Sequence, residues 1–440
     1  MHSITEKRWF LGKGKQIRHI SEFDSANIGD TALTLLQVEF TDGQIDYYTV
    51  IKDEIKIASI LSEGFGNGQT HFFRGTKGIF KFFSPWMPSK ETMRSVKLLD
   101  TEQSNSAFYS KGIFLFKIFR RVQKGFDHPE IEILEHLTKY AEQHSEKAFF
   151  PRILGYLEYC RPENDERFAL GILEEHIPDA KNVWEMFTDK ENTDAEFFRN
   201  ASHELGRTTA KMHQALKDLK GTPPQPETPP FDRLITLLKE NGKEELVPIV
   251  QEKQLLFRQK KEIPDHPRQA RTGVGNDISS NSDSKLVPQR IHGDYHLGQL
   301  LYKDGQFIVL DFEGEPIQTL SYRRRLRSPA ADIAGMLRSF AYANAVRSFV
   351  PSAGSLRPCS VQAGTLFQTS SSNNEGVLDH FEQITSEAFL QGYSQETGIS
   401  VEQLKEKAKP YVLGKAIYEA CYELECRPDW FWIPEAALKN

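Results

Sequence analysis

The 440-residue sequence predicts an α+β chain in two lobes, with a β-rich N-terminal cap subdomain and a mainly helical C-terminal lobe. Three observations carry this. β-branched and aromatic residues crowd the first 90 positions, helical periodicity dominates beyond residue 178, and the length exceeds what one simple core holds. The expected division is a cap subdomain over 1–90, a small intermediate subdomain over 91–178, and a helical lobe over 179–440.

Residues 31–40 and 44–52 read as strands, and Thr41-Asp42-Gly43 between them is a good hairpin turn. An aromatic group over 70–83 is broken by Gly75 and Gly78. Residues 112–119 form an apolar strand candidate carrying Lys117. A helix starts at His128-Pro129-Glu130 and runs to about residue 143, with Ile131, Leu134 and Leu137 as its apolar stripe. A strand near 168–174 ends at His176-Ile177-Pro178, where the lobes connect. In the second lobe an amphipathic helix covers 202–216, and Ser328-Pro329 caps and opens another. Residues 263–288 and 351–376 are rich in Ser, Asn, Gly and Pro and read as surface loops.

Hydrophobic residues at 39% and charged residues at 26% describe a soluble globular chain. A net charge of -6 argues against nucleic acid as the main partner, and no apolar run is long enough to span a membrane. Cys160, Cys359, Cys421 and Cys426 have no CxxC or zinc spacing, so reduced thiols in a cytoplasmic protein are expected. The N-terminus lacks the continuous apolar stretch of a signal peptide.

The chemistry concentrates in His292-Gly293-Asp294-Tyr295-His296-Leu297-Gly298-Gln299, followed by Asp311-Phe312-Glu313-Gly314-Glu315-Pro316. One carboxylate on a tight turn, a carboxamide five residues later and a second carboxylate across a hairpin are the groups that phosphoryl transfer needs. The first orients an acceptor hydroxyl and the other two hold a metal on the phosphates. Lys303-Asp304-Gly305-Gln306 joins two short strands between them. A three-residue loop or a bulge would put Gln299 and Asp311 on one face, whereas a two-residue loop would put them on opposite faces.

These segments resemble the catalytic and metal loops of the aminoglycoside-phosphotransferase-like, eukaryotic-kinase-like superfamily, and more closely those of bacterial maltokinases. Other stretches resemble the maltokinases in the same order along the chain. They are Arg8-Trp9-Phe10-Leu11-Gly12-Lys13-Gly14-Lys15, Glu102-Gln103-Ser104-Asn105-Ser106, Phe116-Lys117-Ile118-Phe119-Arg120-Arg121, and Leu205-Gly206 through Ala210 to His213. Beyond the loop come Ser328-Pro329 with Asp332 to Phe340, and Lys415-Ala416-Ile417-Tyr418-Glu419 continuing to Arg427-Pro428-Asp429-Trp430. Val183-Trp184 and Ala341 depart from the family pattern.

The resemblance implies a two-lobed protein-kinase-like fold and an ATP- and Mg²⁺-dependent kinase that makes maltose 1-phosphate, feeding glycogen and trehalose metabolism. It implies Asp294 as catalytic base and Gln299, Asp311 and Glu313 as Mg²⁺ ligands. Lys117 is expected to pair with Glu132, with Glu130 as the rival, and to hold the nucleotide phosphates alongside Gln103, Ser104, Asn105 and Ser106. His292, Lys415, Tyr418, Tyr422, Arg427 and Trp430 are expected to bind the sugar, although for His292 and His296 a structural role is the favoured reading. Asp332 reads as an anchor for the loop backbone, and Arg323-Arg324-Arg325 as a solvated basic turn. A trehalose synthase is the protein partner that the resemblance suggests. The alternatives are a maltokinase-like glucosamine kinase, an aminoglycoside-type phosphotransferase, and an inactive kinase-like module docked on a trehalose-metabolising enzyme.

Overall fold

The computed structural model describes residues 4–7, 9–65, 69–86, 89, 91–92, 95–99, 105–125, 127–144, 147–261, 286–348 and 380–439. The chain divides into two compact units, Met1–Ala180 with Ile308–Arg324, and Lys181–Phe307 with Arg325–Asn440. The sequence reading assigned 308–324 to the C-terminal lobe; the structure places this segment in the first unit.

The first unit is built on two sheets. β1 (Ile17–Ile28), β2 (Thr31–Phe40) and β3 (Ile45–Ile51) form a meander that β9 (Arg121–Val122) joins, in the order β1-β2-β3-β9. The second sheet contains β4 (His71–Arg74), β5 (Ile79–Phe83), β6 (Lys97–Leu99), β7 (Ser106–Ser110), β8 (Phe114–Ile118), β10 (Ile153–Arg161) and β11 (Glu166–Glu175). Its order is β4-β5-β10-β11-β8-β7-β6, so β4 and β5 share a sheet with strands from beyond residue 90 and no sheet boundary falls there. The expected hairpin over 31–52 is present. β1 was not expected, and its polar, unevenly alternating sequence explains why. Register shifts at Ile17/His19 and Glu22/Asp24 break the two-residue period that marks a strand.

Helix α1 (Ile57–Phe65) covers the larger sheet by setting Phe65 edge-on to Phe82 and Phe116, at centroid distances of 5.1 and 5.6 Å. A fully buried phenylalanine contributes about 1.5–3 kcal/mol. Helix α2 (Pro129–His144) opens on its proline as expected and buries Glu130, Ile131, Ile133, Leu134 and Leu137.

The second unit is mainly helical. Its helices are α3 (Val183–Thr188), α4 (Ala195–Leu216), α5 (Phe231–Glu240), α6 (Val247–Lys261), α7 (Ala330–Ser348), α8 (Phe381–Thr397), α9 (Val401–Cys426) and α10 (Trp432–Lys439). α4 begins seven residues before the expected 202, because the Asp194 side chain accepts the N–H groups of Glu196 and Phe197 and fixes the start there. Ile417, Ala420, Cys421 and Leu424 of α9 pack with Phe231, Leu234 and Leu238 of α5, leaving the opposite face of α9 for other work. Among the described residues no helix is long and apolar enough to cross a membrane. Cys160, Cys421 and Cys426 are free thiols, while Cys359 lies outside the described residues. Residues 351–376, and 263–288 except for 286–288, also lie outside them.

β12 (Lys181–Asn182), β13 (Leu300–Lys303) and β14 (Gln306–Val309) make a small three-stranded sheet in that order. The loop between β13 and β14 has two residues, Asp304 (φ 51°) and Gly305 (φ 80°). Positive φ at both positions is the I′ turn that an Asp-Gly pair favours. The loop is therefore not the three-residue form, which with a bulge was one of the two arrangements expected to align Gln299 and Asp311. Both site residues lie outside the strands. Gln299 ends a 3₁₀ turn, Leu297–Gln299, and Asp311 lies beyond β14 with φ 61°, so strand alternation governs neither side chain.

Candidate active site

In the first unit the chemistry gathers around Lys117. β8 pairs with β11 so that Ile172 lies opposite Lys117 and Glu174 opposite Leu115, which sets Glu174 on the face that Lys117 uses. The Lys117 Nζ lies 2.6 Å from Glu130 Oε1, 3.2 Å from Glu174 Oε1 and 3.6 Å from Asp311 Oδ1. Burial disfavours the charged ammonium, but Glu130, Glu174 and Asp311 outweigh it and hold its pKa well above the ordinary lysine value. Burial also raises Glu130 well above the carboxylate range, opposed by Lys117, and it raises Glu174 in the same way.

The expected partner of Lys117 was Glu132; the structure gives Glu130. The helix period is the reason. Glu130 shares the buried side of α2 with Leu134 and Leu137, four and seven residues on, whereas Glu132 lies about 200° around the helix from Glu130. Glu132 instead receives the Arg324 guanidinium at 2.7 and 2.8 Å. Sequence spacing contained this answer, because Ile131, Leu134 and Leu137 already marked the buried stripe next to Glu130.

Asp311 keeps 32% of its side chain exposed, whereas Glu313 is buried. Asn105 Nδ2 donates to Glu313 Oε1 at 3.1 Å, Arg323 Nη1 lies 3.5 Å from Oε2, and His128 Nε2 lies 3.9 Å away. Burial first, and Asp311 second, push the Glu313 carboxyl up to about 8. Both Glu313 oxygens are thus turned to protein groups, so Glu313 braces this segment instead of serving as an open metal ligand. His128 stacks on Phe119 with ring centroids 4.0 Å apart, and burial, then Arg323, depress its pKa well below the ordinary histidine value. Arg323 is buried and also donates to the Glu313 carbonyl at 3.0 Å. The arginine run is therefore not a solvated turn. A basic triplet looks solvated in sequence, and only the acidic partners from distant segments show otherwise. Gln103 and Ser104 lie outside the described residues, while Ser106 begins β7.

Asp311 in the first unit carries carboxylate oxygens and Gln299 in the second a carboxamide oxygen, and each is a donor of the kind that a hard divalent cation takes. Glu130 Oε2 and Glu174 Oε2 are buried without a hydrogen-bond partner among the described residues, which marks the cluster as rich in negative charge. Among the described residues no group of three His, Cys, Asp or Glu side chains forms a metal cage. Mg²⁺ needs none, since it binds through one or two carboxylates together with substrate phosphates.

In the second unit one face of α7 holds the loop around Asp294. Asp332 accepts the backbone N–H groups of His292 and Gly293 at 2.8 and 2.9 Å, and Ser339 Oγ accepts that of Leu297 at 3.1 Å. Between them, a Cβ on Gly335 would come within 2.5 Å of the Tyr295 carbonyl oxygen, so only glycine lets the loop lie this close. These three residues follow i, i+3, i+7 spacing, so one helix face meets the loop backbone. Behind them, His213 bridges Asp332 (3.1 Å) and the Tyr393 hydroxyl (3.0 Å). Burial would raise the Asp332 carboxyl, but the hydrogen bond and charge of His213, with His292 and the Gly293 N–H, hold it below the usual value. The anchor role read from the sequence for Asp332 is the one that this geometry shows.

His292 is buried, and its Nδ1 accepts the Asp294 N–H at 3.3 Å, which makes it a brace of the loop and not a group offered to a sugar. His296 Nδ1 likewise accepts the Gly298 N–H at 3.1 Å. Asp294 is partly exposed, with Lys415 Nζ 3.6 Å from its Oδ1. Lys415, Tyr418 and Tyr422 share the face of α9 turned away from α5, and Tyr418 and Tyr422 are exposed. Arg427 lies over the rings of Tyr422 and Trp430, 5.1 and 5.4 Å from their centroids, and binds Glu423 at 2.6 and 2.9 Å. Glu419 receives Arg338 at 2.7 and 2.9 Å, and Glu423 also accepts the Tyr342 hydroxyl at 3.0 Å. The two glutamates of this face are therefore already neutralised by arginines.

Comparison with known proteins places this geometry. A glucosamine kinase from Streptacidiphilus jiangxiensis is 37% identical over 59 residues, 13% of this chain and 14% of that protein. A glucosamine kinase from Mycolicibacterium smegmatis is 41% identical over 51 residues, 12% of this chain and 13% of that protein. The matched stretch thus spans about one seventh of the length of these curated relatives. The solved structure of a glucosamine kinase in complex with glucosamine, ADP and inorganic phosphate matches 98% of this chain and 96% of its own, with a TM-score of 0.59 at 14% identity. Another crystal form of a glucosamine kinase covers 96% of this chain and 91% of its own, with a TM-score of 0.58 at 15% identity. At such identity the likeness is one of fold, and the fold is kinase-like. Residues 95–353, more than half of the chain, match the model of the phosphotransferase enzyme family. The chain belongs to the phosphotransferase enzyme family (APH).

Proposed function

We propose that the protein is an ATP-dependent sugar kinase whose acceptor is a neutral sugar, with maltose converted to maltose 1-phosphate. The observation that carries this is the 3.6 Å approach of Lys415 to Asp294, which brings the aromatic face of α9 and the carboxylate of the braced loop together within one unit. An acceptor lying on Tyr418 and Tyr422 would present a hydroxyl to Asp294. In the reaction Asp294 takes the proton of the acceptor hydroxyl, that oxygen forms a bond to the γ-phosphorus, and the bond from the γ-phosphorus to the bridging oxygen breaks to release ADP. Lys117, fixed by Glu130 and Glu174, holds the phosphates, and Asn105 and Ser106 flank them. Asp311 would hold Mg²⁺, which when bound neutralises phosphate charge, and the Gln299 carboxamide offers an oxygen donor of the kind that ion takes. The rest is positioning by the rigid loop.

The preference for a neutral sugar rests on charge. The face offers Lys415, while Glu419 and Glu423 are paired with Arg338 and Arg427. An amino sugar brings an ammonium to a face whose two glutamates already hold arginines. The second reading, an amino-sugar kinase acting on glucosamine, is favoured by the relatives that carry that name. Coupled ADP detection with maltose, glucose and glucosamine as acceptors separates the two. The expected result is kcat/KM at least about tenfold higher for maltose than for glucosamine, a difference of about 1.4 kcal/mol. A preference for glucosamine would replace the first reading by the second, and no ADP release with any sugar would leave a kinase-like binding module. Asp294→Asn is expected to lower kcat by at least about a hundredfold with the best acceptor. A trehalose synthase as partner belongs to the maltose reading and stands or falls with it.

A further inference from the structure

Arg120 follows the lysine strand by two residues and is fully buried. It sits where the chain leaves β8 in the larger sheet of the first unit and enters β9 in the smaller one. Its guanidinium is divided between the two. Toward the N-terminal sheet it donates to the Thr49 carbonyl at 3.2 Å, pairs with Glu54, and lies 5.1 Å from the centroid of the Trp9 ring. Toward the Ser/Asn loop its Nε donates to Ser106 Oγ at 2.8 Å, and its own backbone N–H donates to Asn105 Oδ1 at 3.3 Å. Asn105 in turn donates to Glu313, two residues beyond Asp311. A continuous chain of polar contacts therefore runs from Trp9 and Glu54 through Arg120 and Asn105 to the segment that carries Asp311.

A buried arginine is costly unless each of its donors is used, and here the partners come from four separate segments. Glu54 supplies the only carboxylate that the structure pairs with Arg120 among the described residues, and its side chain is 37% exposed. One of its donors goes to Ser106, whose neighbour Asn105 reaches Glu313. We propose that Arg120 is a positioning residue that lets the N-terminal sheet set the nucleotide-phosphate loop, with Glu54 and Trp9 holding its guanidinium in place. This rests on the reading of Lys117, Asn105 and Ser106 as the nucleotide site. The N-terminal sheet then contributes to nucleotide affinity without touching the nucleotide.

The test measures MgADP binding to the full chain by calorimetry, together with KM for ATP and for maltose and the melting temperature. Glu54→Gln and Trp9→Leu are the probes, because Glu54 is partly exposed and leucine stays apolar while removing the ring over which the guanidinium lies. Two controls are needed. Arg18→Ala removes an exposed pair with Glu39 in the same sheet, and Ile28→Ala weakens a buried position of that sheet outside the cluster against which Trp9 packs. The expected result is a rise of about five- to twentyfold in the Kd for MgADP and in KM for ATP in both probes. KM for maltose should stay within about twofold, and the controls should bind MgADP as the wild type does. Wild-type affinity in both probes overturns the proposal while leaving the kinase reading intact, as does an equal loss of affinity in Ile28→Ala. No binding of MgADP by the wild type overturns the nucleotide site and the proposal together.

Discussion

Lys117 Nζ and Glu130 Oε1 are 2.6 Å apart, and both side chains are buried. Removing one partner of such a pair strands the other charge, at a cost of about 3–5 kcal/mol. Glu174 keeps a second carboxylate 3.2 Å from the ammonium, which softens that loss.

Glu130→Gln is therefore expected to lower kcat/KM for ATP by about ten- to a hundredfold, with a fall in melting temperature. Glu132→Gln is expected to change it by no more than about threefold, since Glu132 serves Arg324. Steady-state kinetics on the two variants checks which glutamate orders the lysine. The reverse ranking would return that role to Glu132.

Asp332 ties the loop to α7 through two backbone N–H groups and His213. Its pKa in the folded chain lies below the ordinary aspartate value. A depressed carboxylate contributes stability that is fully present above its unfolded value of about 3.9 and is lost as pH falls through its folded value. Asp332→Asn is accordingly expected to be less stable than wild type at pH 7 by about 2–3 kcal/mol. That difference should persist to about pH 5 and shrink at pH values below about 4. Urea unfolding of both proteins across this range gives the answer. A gap that narrows between pH 8 and 6 would assign the effect to a different group.

Gly335 leaves no room for a methyl group, whose carbon would meet the Tyr295 carbonyl at 2.5 Å. Gly335→Ala is expected to cost about 1–3 kcal/mol in stability, as overpacking does. Because the displaced backbone carries Asp294, kcat should fall by about tenfold or more even at a temperature where the variant is fully folded. A variant with wild-type kcat and reduced melting temperature would show that α7 supports the loop without setting its geometry.

Asp311 and Glu313 lie two residues apart but differ in what they face. Asp311 is partly exposed, while the oxygens of Glu313 are turned to Asn105 and Arg323. Titrating Mg²⁺ into metal-stripped enzyme should show a half-saturating concentration raised about tenfold or more in Asp311→Asn and by less than about threefold in Glu313→Gln. Glu313→Gln should instead lose stability. Equal shifts in the two variants would restore Glu313 as a ligand.

Local patterns were legible wherever one period ruled a segment. The hairpin over 31–52, the helix opening at Pro129, the strand of Lys117 and the capped start near Ser328 could all be read from alternation, turn residues and caps. β1 could not, because its bulges shift the alternation. The loop of Asp294 was recognisable from its residue types, and so was Asp332 as its anchor. Glu174, Arg323, Arg120 and the turned-in Glu313 were not. Each acquires its role from a charge far away in sequence, and a single chain carries no sign of which distant acid or base will meet it. The error about Gln299 and Asp311 has another source. Strand logic was applied to two residues that the backbone releases from the strands just before they are needed.

The first unit is discontinuous, since it takes Ile308–Arg324 from the far side of more than a hundred intervening residues. A ribosome therefore exposes Lys117, Glu130 and Glu174 long before it delivers Asp311, Glu313 and Arg323. Until then Asn105 lacks its acceptor and His128 and Glu132 lack their basic neighbours. A nascent chain of the first 180 residues is an unfinished object, and expressing that fragment alone should yield a protein that binds chaperones. A cut at the apparent lobe boundary severs the final piece of a unit whose completion must wait for the making of the other.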